Sequence, residues 1–273
     1  FIEPLSVRNV LFRGEVDGSF NKLLVDRALI NFNGPIAEIS GDVIRLDSSI
    51  KMKLNGRLAE LAMDRVADLW PESVASISRK WIIRNIKDGI IDTATFSLNA
   101  LTDLEDLEDI SISKAHGQLE LKEAYVHYLR PMKPLKLSKS KGYYDGEKLI
   151  FDIDNGSVGN IKIVSGELKI DDLSVGSEKQ SLSIEAIILG PLDEAISILD
   201  NDPLNLVSST GIKSGETTGF HKTKLHIGFP LLNELSFDDI NFSSSSQLKN
   251  VKSNLGFFNL DIYNSDVIVN IDK

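Results

Sequence analysis

Apolar and polar residues alternate with a period of two along most of this chain. Lys51-Met52-Lys53-Leu54-Asn55 alternates cleanly, as do Gln118-Leu119-Glu120-Leu121-Lys122, Leu149-Ile150-Phe151-Asp152-Ile153 and Glu167-Leu168-Lys169-Ile170-Asp171. Lys224-Leu225-His226-Ile227-Gly228-Phe229, Asn259-Leu260-Asp261-Ile262 and Val267-Ile268-Val269-Asn270-Ile271 continue the pattern. Successive side chains of a strand point to opposite faces, so each run predicts a strand with one buried face. Asp17-Gly18, Asn33-Gly34-Pro35, Asn55-Gly56, Asp145-Gly146 and Asn155-Gly156 read as turns. Roughly fifteen short strands at this spacing predict a largely antiparallel β protein. Helical segments are too few to serve as crossovers between parallel strands.

Two helical regions are expected. The first runs from about Leu58 to Lys87 and breaks at Trp70-Pro71, where Pro71 suits a first helical turn. Val74, Ile77, Trp81, Ile82 and Ile86 then form one apolar stripe, ended by Asp88-Gly89. Trp70 and Trp81 are most simply core anchors. The second helix, about Leu192 to Leu199, lies between Gly190-Pro191 and Asn201-Asp202-Pro203.

An internal echo is also present. Ile39-Ser40-Gly41-Asp42-Val43 resembles Val164-Ser165-Gly166-Glu167-Leu168. Each is followed by alternating strands, then by a glycine with leucine two residues on (Gly56 and Leu58, Gly190 and Leu192). This predicts a single elongated β-rich domain of two degenerate repeats, about 1–130 and 131–273.

Composition narrows the function. The chain has 273 residues, 42% apolar and 26% charged, enough for a sizeable core. No apolar run exceeds the four residues Ala186 to Leu189, whereas a membrane helix needs about 20. No signal peptide is recognisable, and the chain reads as an internal fragment of a longer one. Cysteine is absent, so disulfides, zinc–thiolate sites and cysteine nucleophiles are excluded. Thirty Lys and Arg against 40 Asp and Glu leave a net charge of −10, which argues against nucleic acid as a partner.

Candidate chemistry is sparse. The histidines, His116, His127, His221 and His226, show no metal-ligand spacing and read as surface or rim residues. His221 and His226 are expected on opposite faces of one strand. The acidic run Asp103 to Asp109 fits no calcium loop and reads as a solvated turn. Asp154 to Gly156 reads as a turn as well. Lys133, Lys136, Lys139 and Lys141, with Tyr143 and Tyr144 after them, read as a solvated strand face and its loop. Ser243 to Ser246 is a polar tract rather than a nucleophile, and no G-x-S-x-G, P-loop or G-x-G-x-x-G occurs. No catalytic residue, metal or cofactor is expected.

What remains is a long series of strands, each with an apolar face. A barrel or sandwich would bury those faces against each other. A sheet folded lengthwise would leave an apolar groove, a natural site for lipid chains at about 0.8 kcal/mol per buried CH₂. Strand alternation nominates Met52, Leu54, Leu119, Leu121, Phe151, Ile153, Leu168, Ile170, Leu182, Ile184, Leu225 and Ile227 as groove residues.

Trp70-Pro71, Trp81-Ile82, Asn85-Ile86 and Gly89-Ile90-Ile91-Asp92 resemble a segment of YhdP-type proteins of the AsmA-like family. So do Ile39-Ser40-Gly41 through Gly56-Arg57-Leu58, Gly190-Pro191-Leu192, Asp202-Pro203-Leu204 and Leu225 through Leu231. The likeness covers most of the chain, which departs from the family in its many Lys and Asn. The resemblance implies a β-taco-like body, a sheet folded lengthwise around a hydrophobic groove. It also implies an inner-membrane anchor outside these residues, a periplasmic location in a Gram-negative envelope, and phospholipid as cargo between inner and outer membrane. Inner- and outer-membrane proteins would be further partners. The expected mechanism is passive: acyl chains lie against the apolar stripe while headgroups stay at the wet edge. The alternatives are a scaffolding β domain with a filled core and protein partners only, and a hydrolase, for which no motif is present.

Overall fold

The computed structural model describes residues 6–70, 76–106, 110–128, 130–173, 180–202, 204, 207, 212, 214–232, 235–255 and 260–272, without the side chains of 76–78, 214, 237, 255 and 260. The elements in chain order are β1 (Asn9–Val16), β2 (Lys22–Asn31), β3 (Ile36–Arg45), β4 (Ser49–Ala62), α1 (Val66–Leu69), α2 (Ser76–Asn85), β5 (Ile86–Lys87), β6 (Ile90–Asp103), β7 (Ile110–Val126) and β8 (Leu135–Tyr144). There follow β9 (Leu149–Val158), β10 (Ile161–Asp171), β11 (Ser181–Pro191), α3 (Leu192–Leu199), β12 (Thr218–Pro230), β13 (Asn241–Leu255) and β14 (Leu260–Asp272). The fourteen strands form one open antiparallel sheet in sequence order, except that β5 pairs with β7 beside the main path. The fold is therefore mainly β, an elongated antiparallel sheet wrapped around an apolar interior.

Register explains that interior. Residues paired across antiparallel strands point to the same face. One row of partners runs Val10, Ile30, Ala37, Leu58, Ala94, Leu119, Gly142, Phe151, Leu168, Ile184, Ile227 and Phe242, apolar throughout. A second row, two residues along, runs Leu121, Ser140, Ile153, Gly166, Ala186, Leu225, Ser244 and Ile271. A third joins Leu149, Ile170, Leu182 and Phe229. The main core occupies the middle of the sheet, where Leu121, Ile153, Ile170 and Leu182 are almost fully buried. Each such side chain contributes about 1.5–3 kcal/mol relative to exposure. The opposite face is charged and wet. Lys139 pairs with Glu120 at 3.6 Å across β7 and β8, and Lys169 with Asp171 at 2.8 Å.

The structure corrects three local expectations. The first helical region begins at Met63, not Leu58: a 3-10 turn Met63–Arg65 leads into α1. Residues 58–62 are good helix formers, yet they extend β4 because both β3 and β6 are there to pair with them (Leu58 with Ala37 and Ala94). Ile86, read as helical, belongs to β5. Pro71 and Val74 lie outside the described residues. Second, Asn55-Gly56 is interior to β4. The Phe96 ring lies directly over it, and a Cβ there would stand 2.1 Å from that ring and push it aside. Third, Asn155-Gly156 is not a turn but part of β9, beside a register shift against β8. Asp17-Gly18, Asn33-Gly34 and Asp145-Gly146 do lie in connections between strands, and α3 spans the residues expected of the second helix. The two echoing segments lie in β3 and β10.

Candidate functional site

The site is a cavity of about 360 Å³ between the inner face of β8–β14 and α3. The helix is placed by its own sequence. Pro191 precedes it in extended conformation, and Asp193 and Glu194 occupy its first turn, where carboxylates complement the helix N-terminus. Both carboxylate oxygens of Glu194 accept from the Asn160 backbone N–H at 3.1 Å, and Lys133 Nζ lies 3.5 Å away. The Asn160 hydrogen bond, and then Lys133, hold the Glu194 carboxyl below its ordinary pKa. This ties the start of α3 to the β9–β10 turn. Leu192, Ile196 and Leu199 then form one apolar stripe turned to the cavity.

The sheet side is lined by Ile163, Ile184, Ala186, Ile188, Leu225, Ile227 and Phe242, with Leu248, Val251, Val267, Val269 and Ile271 beyond. Tyr128 and Met132 close one flank. Burial pushes the Tyr128 hydroxyl up to about 12, so it stays neutral. Space exists because the inner positions of β13 are small: Ser244 and Ser246 stand where leucines would fill the interior.

A polar seam crosses this lining on β12, the residue before it and β13. His221 Nδ1 lies 2.8 Å from Thr223 Oγ1, which lies 2.8 Å from Ser246 Oγ. Thr217 Oγ1 and Ser253 Oγ are 2.7 Å apart. His221 is only 4% exposed, and burial lowers its pKa, favouring the neutral ring. This corrects the expectation of a surface histidine: as residue i of the run His221, Thr223, Leu225, Ile227, it shares the inward phase of the strand. His226, on the other face, lies 3.9 Å from Glu185.

Of the twelve nominated groove residues, Ile184, Leu225 and Ile227 line the cavity. Leu121, Phe151, Ile153, Leu168, Ile170 and Leu182 face the same side but are packed in the main core, with Leu119 against it. Met52 and Leu54 are half-buried on β4 and do not line the cavity. Both tryptophans pack against the main core. The lysines of β8 are exposed on its outer face, and Asp103 Oδ1 accepts from the Glu105 backbone in a turn; Leu107 to Asp109 lie outside the described residues. Among the described residues no three or more His, Asp or Glu side chains are grouped to hold a metal ion, and no helix is long and apolar enough to cross a membrane. The α3 stripe and the polar seam were missed from sequence, although the His221-x-Thr223 and Ser244-x-Ser246 spacings carried their signal. Searches of protein families, curated proteins and solved structures find no match to this chain.

Proposed function

We propose that this chain is a non-enzymatic lipid-binding segment that shields acyl chains in an apolar groove. The observation that carries this reading is the cavity under α3, walled by aliphatic side chains from seven adjacent strands and a tethered helix. Apolar walls with a few polar groups are the usual make-up of a small-molecule pocket. Each methylene moved from water to such walls contributes about 0.8 kcal/mol, so a chain of about a dozen carbons needs no ionised or nucleophilic residue to be held. The resemblance to YhdP-type proteins supplies the cellular setting of the reading: a periplasmic body, anchored in the inner membrane through another segment, along which phospholipid passes between the two membranes.

The test is extraction of the purified chain with organic solvent and lipid mass spectrometry against a mock purification. Stoichiometric lipid that is lost in Leu225→Glu is expected. Leu225 is chosen because it is half-buried on the cavity wall, whereas a charge at Leu121 or Ile170 would disrupt the packed core. A lipid-free extract from folded, monodisperse protein that also takes up no added lipid would refute the reading and favour a scaffolding domain.

A further inference from the structure

We propose that the cavity takes a single long apolar chain carrying an uncharged oxygen, and that His221 Nε2 holds that oxygen. This rests on the reading of the cavity as a lipid site and specifies what the lipid presents there. His221 lies in a row with Gly190, Leu248 and Val267, deep on the inner face. Its ring is fixed by the contact with Thr223, itself braced by Ser246. The outer nitrogen, Nε2, is buried and has no hydrogen-bond partner among the described residues. A buried polar atom without a partner is costly, and His221 belongs to the cavity lining, so a ligand oxygen that displaces the side chains covering Nε2 would pair an atom the protein leaves unpaired.

The chemistry of that group follows from the lining. Among the described residues, no Lys, Arg, Asp or Glu lines the cavity. A carboxylate or phosphate beside His221 would be desolvated without a counter-charge, whereas an uncharged oxygen is not penalised in that way. The hydroxyl relay can run in either direction. If Thr223 donates to Nδ1, Nε2 carries the proton and donates to an ester carbonyl; if Nδ1 donates to Thr223, Nε2 accepts from an alcohol. Size limits the ligand as well. About 360 Å³ is near the lower end of the ~300–1,000 Å³ typical of ligand pockets, which fits one chain rather than two. The oxygen could belong to a one-chain alcohol or ester, or to one acyl ester of a two-chain lipid whose remainder lies outside.

The experiment titrates dodecane, dodecanol, methyl laurate and dilauroylphosphatidylglycerol into the delipidated 273-residue chain, in competition with the neutral fluorophore N-phenyl-1-naphthylamine. The ring nitrogens of His221 are followed in parallel by ¹⁵N NMR. Dodecanol and methyl laurate are expected to bind about tenfold more tightly than dodecane, the effect of one buried hydrogen bond. The Nε2 signal should move with the two oxygenated chains and stay still with dodecane. His221→Phe should bring the ratio close to one while dodecane still binds, and His221→Gln should keep part of it. A His221-dependent advantage for the diacyl lipid would assign the oxygen to a glycerol ester, and its absence to a one-chain compound. Equal affinities in the unaltered chain, an unmoved Nε2 signal, or a ratio that survives His221→Phe would overturn the assignment while leaving the lipid site intact. Failure of every chain, dodecane included, would overturn the lipid reading together with it. The NMR arm decides even if the His221→Phe chain does not fold.

Discussion

Ser244→Leu separates an empty cavity from a filled interior, because the sign of its effect on stability depends on free space. Ser244 lies opposite Leu225 on one side and Ile271 on the other, all three on the cavity wall. A leucine here adds apolar surface next to apolar surface. Fully burying a leucine contributes about 1.5–3 kcal/mol. Ser244 is only half-covered, so a gain of about 1–2 kcal/mol is expected. In filled interior the same kind of enlargement costs about 1–3 kcal/mol. Ala124→Leu is the matched control: Ala124 is 0% exposed, opposite Leu137 and close against Gly89. Urea unfolding reads both. At a slope of about 3 kcal/mol/M, Ser244→Leu should raise the midpoint by about 0.5 M and Ala124→Leu should lower it by a similar amount or more. Lipid capacity should fall in Ser244→Leu despite the higher stability. A Ser244→Leu chain destabilised as much as Ala124→Leu would show that the space under α3 is already filled, and the groove argument would fail with it.

Two further outcomes are expected. Gly41 has φ +143° and a Cβ there would stand 2.0 Å from the Lys53 carbonyl, whereas at Gly166 the nearest backbone atom is 3.1 Å away; Gly41→Ala should therefore cost at least about 2 kcal/mol and Gly166→Ala about 1 or less in the same urea assay, and equal costs would refute the geometric argument. Stability should also fall with acid through His221, because burial depresses its folded pKa below the ordinary value of about 6.5, so the unfolded chain binds more protons as the pH drops from there toward the folded value. Of the other described groups on the cavity wall only Tyr128 titrates, near 12, so His221→Gln should flatten the slope between about pH 7 and 5, and an unchanged slope would show that the ring is not held neutral.

Most of the architecture was legible because alternation is a direct record of a one-faced strand. Met52 and Leu54, Leu119 and Leu121, Phe151 and Ile153 each carry the phase of their own strand, and the register then lines up Leu119 with Phe151, Leu168, Ile184 and Ile227 in a single row. Turn signals were less informative. Asn-Gly marks a place where the backbone must come close or bend, and at Gly56 the close neighbour is the Phe96 ring rather than the next strand of a hairpin. Residues 58–62 read as helix from composition alone, while the decisive interaction, pairing with Leu58's partners Ala37 and Ala94, involves positions 21 and 36 residues away.

What alternation cannot encode is where along a shared face the interior is full and where it is empty. Hydrophobicity alone ranks Ile170 and Ile227 as equals, yet one is sealed between Leu149 and Leu182 while the other borders open space. The difference lies in the rows next to Ile227, where Ser244 pairs with Leu225 and Ser246 with Thr223. Read from sequence, Ser243 to Ser246 is a polar tract, because serine outside a nucleophile motif suggests no chemistry. On the inner face of a strand Ser244 and Ser246 have a packing meaning: each withholds the side-chain volume that closes the core two strands away. Once that space exists, Thr223 and His221 opposite it can be buried without being crowded, and α3 completes the wall rather than filling it. The informative residues for this site are therefore the polar ones that face each other in phase with an apolar stripe, Thr223 with Ser246 and Ser244 beside them, whereas Ser140, equally small on the inner face of β8, lies fully buried between Leu121 and Ile153 and leaves no space.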